Sequence, residues 1–266
     1  MLIEVDPRLG GRATTWWIDG LDVIASRSPD PVEQGMYPMA PWAGRIRGNA
    51  VSHQGHVHPM PVNYPPWALH GTVLDVPMQV TAHEVTPTAS QLVLEAPLGD
   101  AWPWPGTCTI TWQLRPGVLT TVIELTAIDA AYPAVVGWHP WFRRSPGRGG
   151  PLQVHLPAEH RLVRGTDHLP TGEIVPARME QGPFDDAFYV PGCFAHLTWP
   201  GWIRLEVANS HPWFVLFDEL PDAACLEPQS GPPDGLNGPV AAIDIVAPRS
   251  PLQMRTTWQV VPAPVS

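Results

Sequence analysis

The chain has 266 residues and a formal net charge of −10, and only 15% of its residues are charged. Nucleic acid and anionic membranes both need a basic face, so this charge excludes them as expected partners. The 35 prolines and 13 tryptophans leave few windows for long helices and favour β structure.

Size and segment composition favour one domain over residues 1–266, because no linker interrupts the pattern. No apolar run reaches about 18 residues, and the N-terminus has no basic-then-apolar signal region. We therefore expect a soluble cytoplasmic protein. The cysteines Cys108, Cys193 and Cys225 are scattered, which predicts neither a disulfide framework nor a CxxC zinc motif.

Alternating apolar and polar residues predict strands from the beginning of the chain to its end. Residues 14–25 (TTWWIDGLDVIA) indicate strand, Asp-Gly turn, strand. Residues 107–114 (TCTITWQL) form a half-buried strand, which the Pro-Gly pair of RPGV joins to the strand at 119–128. Further strands are predicted at 203–208, 213–218 and 254–261. With no convincing helical periodicity, the pattern predicts an all-β sandwich or barrel.

Two arginines, Arg45 and Arg47, lie in PWAGRIRGN. Guanidinium groups suit fixed donation to hydroxyl or carboxylate oxygens, and a buried arginine needs partners. Residues i and i+2 share one side of a strand, so local spacing leaves open which arginine would act, or whether both are at the surface.

Three histidines, His53, His56 and His58, lie in SHQGHVH. An H-x-H pair on a strand points both rings to one face, where they could bind a metal. Gly55 between alternating polar residues indicates instead the turn of a solvated hairpin.

His70 in WALHGT and His139 in GWHPWF are each predicted at the end of a strand. The glycine after His70 indicates that the backbone there comes close to another part of the chain. For His139, we expect the following proline to stop the strand, and aromatic neighbours to form a dry wall that shifts its pKa. Each histidine alone could equally fill space in the core.

Acidic residues stand out at FDDAF and CLEPQ. Glu227 follows an apolar run, and glutamate is seldom buried without a partner. Burial would raise its pKa toward the range of a general base, whereas a surface position would leave it an ordinary carboxylate.

These pieces occur in one order along the chain: PWAGRIRGN (41–49), WALHGT (67–72), GWHPWF (137–142), FDDAF (184–188) and CLEPQ (225–229). The set resembles the aldose 1-epimerase (galactose mutarotase) family, with its P-[WY]-x-N-R-I, L-H-G, N/G-x-H-P-Y-F, D-x-x-F and C-[LI]-E-x-Q segments. The resemblance spans about residues 3–260. It implies a large antiparallel β-sandwich, the galactose mutarotase-like supersandwich, with few or no helices and a cleft on one face. Gly44 departs from the family, which often has asparagine there.

The resemblance also implies the site residues Arg45, His70, His139, Asp185 and Glu227. Asp185 is preferred over Asp186 because the family's aspartate lies three residues before the phenylalanine, here Phe188. The implied activity is interconversion of the α and β anomers of an aldohexose, without cofactor or metal, by a monomer or homodimer.

The expected mechanism needs two proton movements. Glu227 takes the proton of the C1 hydroxyl and a protonated His139 delivers one to the ring oxygen, assisted by His70. Arg45 and Asp185 hold ring hydroxyls by charge-assisted hydrogen bonds. Aromatic side chains pack on the C–H face of the sugar, and the candidates are Trp67, Trp141 and Phe217.

Three alternatives remain open at this point. An epimerase of a phosphorylated or unusual sugar would use Arg143 and Arg144 after the histidine motif. A non-catalytic carbohydrate-binding protein would explain the tryptophans equally well. A metal-dependent sugar isomerase of the cupin type would depend on the three histidines of residues 53–58.

Overall fold

The structure is a computed structural model that describes residues 1–238 and 243–263. Its strands, in chain order, are β1 (Leu2–Asp6), β2 (Arg12–Ile18), β3 (Leu21–Asp22), β4 (Met36–Met39), β5 (Ala50–His53), β6 (His56–Pro59), β7 (Gln79–Val85), β8 (Ser90–Pro97), β9 (Gly106–Arg115), β10 (Val118–Ala127), β11 (Tyr132–Ala134), β12 (Gly137–Arg143), β13 (Gln153–His155), β14 (His160–Arg164), β15 (Pro170–Pro176), β16 (Asp185–Tyr189), β17 (Phe194–Trp199), β18 (Ile203–Asn209), β19 (Trp213–Phe217), β20 (Ala223–Gln229), β21 (Asp244–Val246) and β22 (Leu252–Pro262). The helices of the described ranges are three short 3-10 turns at Pro31–Glu33, Arg47–Asn49 and Met179–Gln181.

Two large sheets carry most of these strands. The ten-stranded sheet has the order β1-β2-β4-β12-β20-β19-β16-β14-β15, with β3 paired to β2. The eight-stranded sheet has the order β13-β17-β18-β22-β10-β9-β8-β7, and β5-β6 and β11-β21 form two small ones. Neighbouring strands in both large sheets run antiparallel. The predicted antiparallel all-β fold is confirmed.

Aromatic side chains join the inner faces of the two large sheets. Trp16 of the ten-stranded sheet meets Trp258 of the other edge to face, with ring centroids 6.3 Å apart. Trp112 and Trp138 make a closer contact between the same sheets at 4.7 Å. All four rings belong to one continuous hydrophobic core, so the sheets pack face to face as a sandwich.

The predicted turns are also found. The strand at 107–114 extends to β9 and pairs with β10 through the Pro116-Gly117 turn. The Asp19-Gly20 turn joins β2 to β3, which is only two residues long. Gly55 lies in the turn of the β5–β6 hairpin, with φ +80°. No helix of the described residues is both long and apolar enough to cross a membrane.

The ladder of paired residues between β12 and β20 is interrupted where each strand carries a proline. The ladder pairs Gly137 with Gln229 and then Trp141 with Cys225. Pro140 and Pro228 lie between these two pairs, and a proline cannot donate to a ladder. The prediction that Pro140 ends the strand is therefore wrong, because β12 continues through it to Arg143 while pairing with β4 on its other edge.

Candidate active site

A cavity of about 220 Å³ opens at the middle of the ten-stranded sheet. Its walls combine apolar side chains with a few charged and polar ones, which is typical of small-molecule sites. The polar and charged residues that line it are Glu33, Arg45, Tyr64, His70, His139, Arg164, His168, Asp185, Asp186, Glu227 and Gln229. All five motif residues implied by the resemblance are among them.

His139 and Glu227 face each other inside this cavity. They occupy opposed positions in the interval between the pairs Gly137–Gln229 and Trp141–Cys225. The His139 Nε2 and Glu227 Oε1 atoms are 3.3 Å apart, and both side chains are buried. Gln229 Nε2 donates a hydrogen bond of 3.1 Å to the other carboxyl oxygen of Glu227. An imidazole and a carboxyl group are thus held together at the wall of a small-molecule cavity.

Burial shifts the proton affinities of this pair in opposite directions. It raises the pKa of the Glu227 carboxyl well above its usual value, and nearby Asp185 adds to the shift. It lowers the pKa of the His139 imidazole to about 3. The rise for Glu227 matches the sequence-based expectation. The lowered pKa of His139 does not favour the protonated imidazole that the sequence-based mechanism expects, and its main cause is desolvation.

His70 lies beside the pair on a strained turn. Its φ is +57°, and its ring meets that of His139 edge to face at 5.1 Å. The backbone N–H of Gly44 donates to His70 Nδ1 at 3.2 Å, so the neutral ring carries its proton on Nε2. Burial, with His139 as a second cause, lowers the pKa of His70 well below its usual value. His70 is therefore a neutral donor.

Glycines hold this turn close to its neighbours. A Cβ on Gly71 would lie 1.9 Å from the carbonyl oxygen of Ala40, which confirms the predicted close backbone approach after His70. Gly44 has φ +77°, and a Cβ there would lie 2.8 Å from Pro233. Asparagine at position 44 would meet that proline, which is the physical reason for glycine in this chain.

Arg45 and Arg47 separate in the structure. Arg45 bridges to Leu69 and lines the cavity, and its Nε atom is buried without a hydrogen-bond partner among the described residues. Arg47 begins a 3-10 turn and bonds Asp234 through Nε at 3.1 Å. The segment is not a regular strand, so the two guanidinium groups do not share a face and only Arg45 reaches the cavity.

Asp185 and Asp186 both line the cavity but have different partners. Asp185 forms an ion pair with Arg164, and burial raises the pKa of its carboxyl. Asp186 accepts a hydrogen bond of 2.8 Å from Arg161. The charge of Asp185 also raises the pKa of Glu227, whereas Asp186 is not among the causes of that shift.

Aromatic walls are provided by Trp141 and Phe217, which meet edge to face at 5.6 Å and line the cavity. Trp67 does not line it; it pairs with Tyr64 in a tight turn, and Tyr64 lines the cavity instead. The expectation that Trp67 forms part of this wall is therefore wrong, because the tight turn places Tyr64 rather than Trp67 at the cavity. Trp138 is fully buried in the core between the sheets.

The remaining sequence candidates lie elsewhere. Arg143 and Arg144 line a separate surface hollow, and Arg144 is bonded to two backbone carbonyls. His53 and His58 lie on the β5–β6 hairpin, where their rings pack on that of Trp104. Neither histidine lines the cavity.

Within the described residues, the one group of three side chains that could hold a metal is His139, Cys225 and Glu227. Cys225 Sγ lies within 4.8 Å of the donor atoms of the other two. This group was not anticipated from the sequence.

Sequence reasoning also missed three cavity residues, Arg164, His168 and Gln229, and it missed Tyr37, which lies behind His139 and does not line the cavity. Tyr37 stacks on His139, and Arg164 bonds Asp185. Gln229 lies inside the CLEPQ motif, two residues after Glu227 on a strand, and this spacing could have identified it. The other three have no local signal.

The family model described as Aldose 1-epimerase matches residues 7–241. No curated protein sequence matches the chain. Among solved structures, a galactose mutarotase-like protein from Clostridium acetobutylicum has a TM-score of 0.87 at 15% identity, over 98% of this chain and 92% of that one. A galactose 1-epimerase from Lactobacillus acidophilus NCFM has a TM-score of 0.81 at 15% identity, over 98% and 91%. At these identities the structural similarity establishes a shared fold.

Proposed function

The chain belongs to the aldose 1-epimerase family, and on that premise we propose that it interconverts the α and β anomers of a free aldose by acid–base catalysed ring opening. The observation that carries the proposal is the distance of 3.3 Å between His139 Nε2 and Glu227 Oε1 at the wall of one cavity. A protein that only bound sugar would have no need to bury an imidazole against a carboxyl group, because burying either group is costly.

Glu227 takes the proton from the C1 hydroxyl while His139 gives a proton to the ring oxygen O5. The C1–O5 bond then breaks, which leaves an aldehyde at C1 and a hydroxyl at C5. Rotation about C1–C2 presents the other face of the aldehyde to that hydroxyl. Ring closure reverses both transfers, so each side chain recovers its starting state and no net proton is consumed.

The working form of His139 and Glu227 differs from the neutral form only in the position of one proton. A neutral imidazole beside a protonated carboxyl group holds the same number of protons as an imidazolium beside a carboxylate. Burial favours the neutral form of the pair. The charge of Arg45 lowers the pKa of both Glu227 and His139, so it does not by itself select between the two forms. Sugar hydroxyls would donate to the Glu227 carboxylate, which favours the working form.

The other cavity residues hold the sugar. Arg45 and Asp185 bond ring hydroxyls by charge-assisted hydrogen bonds. The Nε atom of Arg45 is available for this because it is buried and has no hydrogen-bond partner among the described residues. His70 donates from Nε2 toward O5 and stabilises negative charge there. Trp141 and Phe217 pack on the C–H face of the ring. The proposal needs neither a cofactor nor a metal, and we expect a cytoplasmic monomer or homodimer of one domain.

A phosphorylated substrate receives less support. Arg143 and Arg144, the arginines that would favour it, line a different hollow from the cavity. Arg164 does line the cavity, but Asp185 and Glu219 already occupy its guanidinium group.

The experiment is an NMR exchange assay that follows the C1 signals of both anomers across matched free and phosphorylated aldoses. The proposal expects catalysed exchange for at least one free aldohexose, faster than for its 6-phosphate, and not slowed by EDTA. Saturable binding of every sugar without faster exchange would identify a binding protein instead. Faster exchange for the phosphate ester would indicate that the substrate is a phosphorylated sugar.

A further inference from the structure

Cys225 is a buried thiol that the proposed chemistry does not use. It is fully buried on β20, two residues before Glu227, so both side chains lie on the same face of the strand. Its Sγ atom lies within 4.8 Å of a donor atom of His139 and of Glu227. A thiol, an imidazole and a carboxyl group therefore converge behind the cavity wall.

This donor set matches a thiophilic divalent cation. Zn²⁺ takes sulfur, nitrogen and oxygen ligands, and three protein ligands with one open position are common in its accessible sites. Thiolate sulfur favours Zn²⁺ over Mg²⁺ and Ca²⁺, which prefer oxygen. The donor atoms all lie within 4.8 Å of one another, and binding would bring them to the spacing of ligands around a tetrahedral ion.

We propose that His139, Cys225 and Glu227 form an inhibitory site for Zn²⁺ or a similar thiophilic divalent cation. On binding, the thiol and carboxyl protons leave to solvent, and the imidazole nitrogen, the thiolate and the carboxylate each donate an electron pair to the ion. No oxidation or reduction takes place. The bound ion occupies both groups that the anomerisation needs, so it stops catalysis.

The path to the site makes sugar and metal competitors. Cys225 is not among the cavity lining residues, whereas His139 and Glu227 are. An ion entering through the cavity meets these two side chains before it reaches the sulfur. Inhibition rests on the proposed function, but metal binding does not, and the experiment measures them separately.

Binding is tested with CoCl₂ and ZnCl₂ on the chelator-treated full chain. Thiolate-bound Co²⁺ absorbs in the near ultraviolet, and Zn²⁺ should displace it. We expect this band in the wild type and in Cys108→Ala, whose thiol is buried on β9 outside the metal-capable group. Cys225→Ser and Cys225→Ala should lose the band, and Zn²⁺ affinity measured by calorimetry should fall by at least about tenfold.

Activity is then compared with and without ZnCl₂ within each variant. Zn²⁺ should inhibit the wild type and Cys108→Ala, a saturating sugar should protect them, and both Cys225 variants should resist. Absence of the Co²⁺ band, or equal Zn²⁺ affinity after either Cys225 substitution in a folded protein, would overturn the site. If no sugar is turned over at all, the proposed function fails, while the cobalt spectrum still decides the metal site.

Discussion

The ring of Tyr37 stacks on the imidazole of His139, with centroids 4.8 Å apart and planes 13° from parallel. The Tyr37 hydroxyl donates to the carbonyl oxygen of Val32 at 3.0 Å, which fixes the phenol ring from its far end. The two residues are directly paired in the register between β4 and β12. Tyr37 therefore holds the imidazole plane in place against the cavity.

Replacing Tyr37 should separate the effect of its ring from that of its hydroxyl. We expect Tyr37→Leu to lower kcat roughly tenfold to a hundredfold, because small misplacement of an acid–base group is costly. Tyr37→Phe keeps the stacked ring and should stay within about threefold of wild type. Polarimetry of mutarotation measures both. Equal losses in the two variants would assign the effect to the bond with Val32.

Glu227→Gln should remove most of the catalysis. The amide keeps the shape of the carboxyl group and can still accept from Gln229, but it cannot take the proton of the C1 hydroxyl. The expected loss in kcat is roughly 10²–10⁴-fold. Polarimetry with an α-aldohexose provides the measurement, and a rate equal to wild type would remove Glu227 as the base.

The same substitution should stabilise the protein at neutral pH. The folded-state pKa of Glu227 lies above the unfolded value near 4.5, so the folded chain binds more protons, and its free energy of unfolding falls as pH rises through that value. Glutamine carries no such cost. Calorimetry at pH 7 should give a Tm at least roughly 2 °C above wild type. The Tm difference between the variant and the wild type should decrease toward pH 4. A difference that increases toward pH 4 would mean that folding lowers the pKa of Glu227 instead of raising it.

His139→Asn should lower kcat roughly 10²–10⁴-fold in a protein whose circular dichroism is unchanged, because asparagine cannot deliver a proton to O5. His58→Asn is the matched control, since His58 packs on an aromatic ring outside the cavity lining. That control should keep wild-type turnover. A His139 variant that loses stability but not kcat would make His139 a core residue.

Asp185→Asn and Asp186→Asn should differ in their effect on KM. Both carboxyl groups are paired with an arginine, Asp185 with Arg164 and Asp186 with Arg161, but Asp185 is the one that raises the pKa of Glu227. We expect Asp185→Asn to raise KM about tenfold or more, through loss of a charge-assisted bond to the sugar. Asp186→Asn should change KM by less than about threefold. Initial-rate kinetics decide between them, and a larger effect for Asp186 would exchange their roles.

Features set by local physics could be predicted from the sequence. Alternation of apolar and polar residues placed β9 and β10, and Pro116-Gly117 and Asp19-Gly20 placed their turns, because these depend on neighbours along the chain. The apolar run before Glu227 left burial and a surface position both open, and the structure shows that the side chain is buried. Ordered motifs then identified the family, which the family model confirms over residues 7–241.

Other features depend on which strands become neighbours, and no local signal carries that information. The sequence suggested that Pro140 stops a strand; with Pro228 opposite, the two prolines instead lie in the interval where His139 meets Glu227. Stacking of Tyr37 on His139 likewise arises from pairing of strands about a hundred residues apart.

By itself, then, the sequence determined the all-β class, several of the strands and turns, and the family, because each follows from patterns along the chain. Only the tertiary structure decided that Trp67 does not line the cavity, that Tyr37 stacks on His139, and that Cys225 lies behind His139 and Glu227. Those outcomes follow from backbone direction at turns and from strand register, which set where a side chain of known chemistry points.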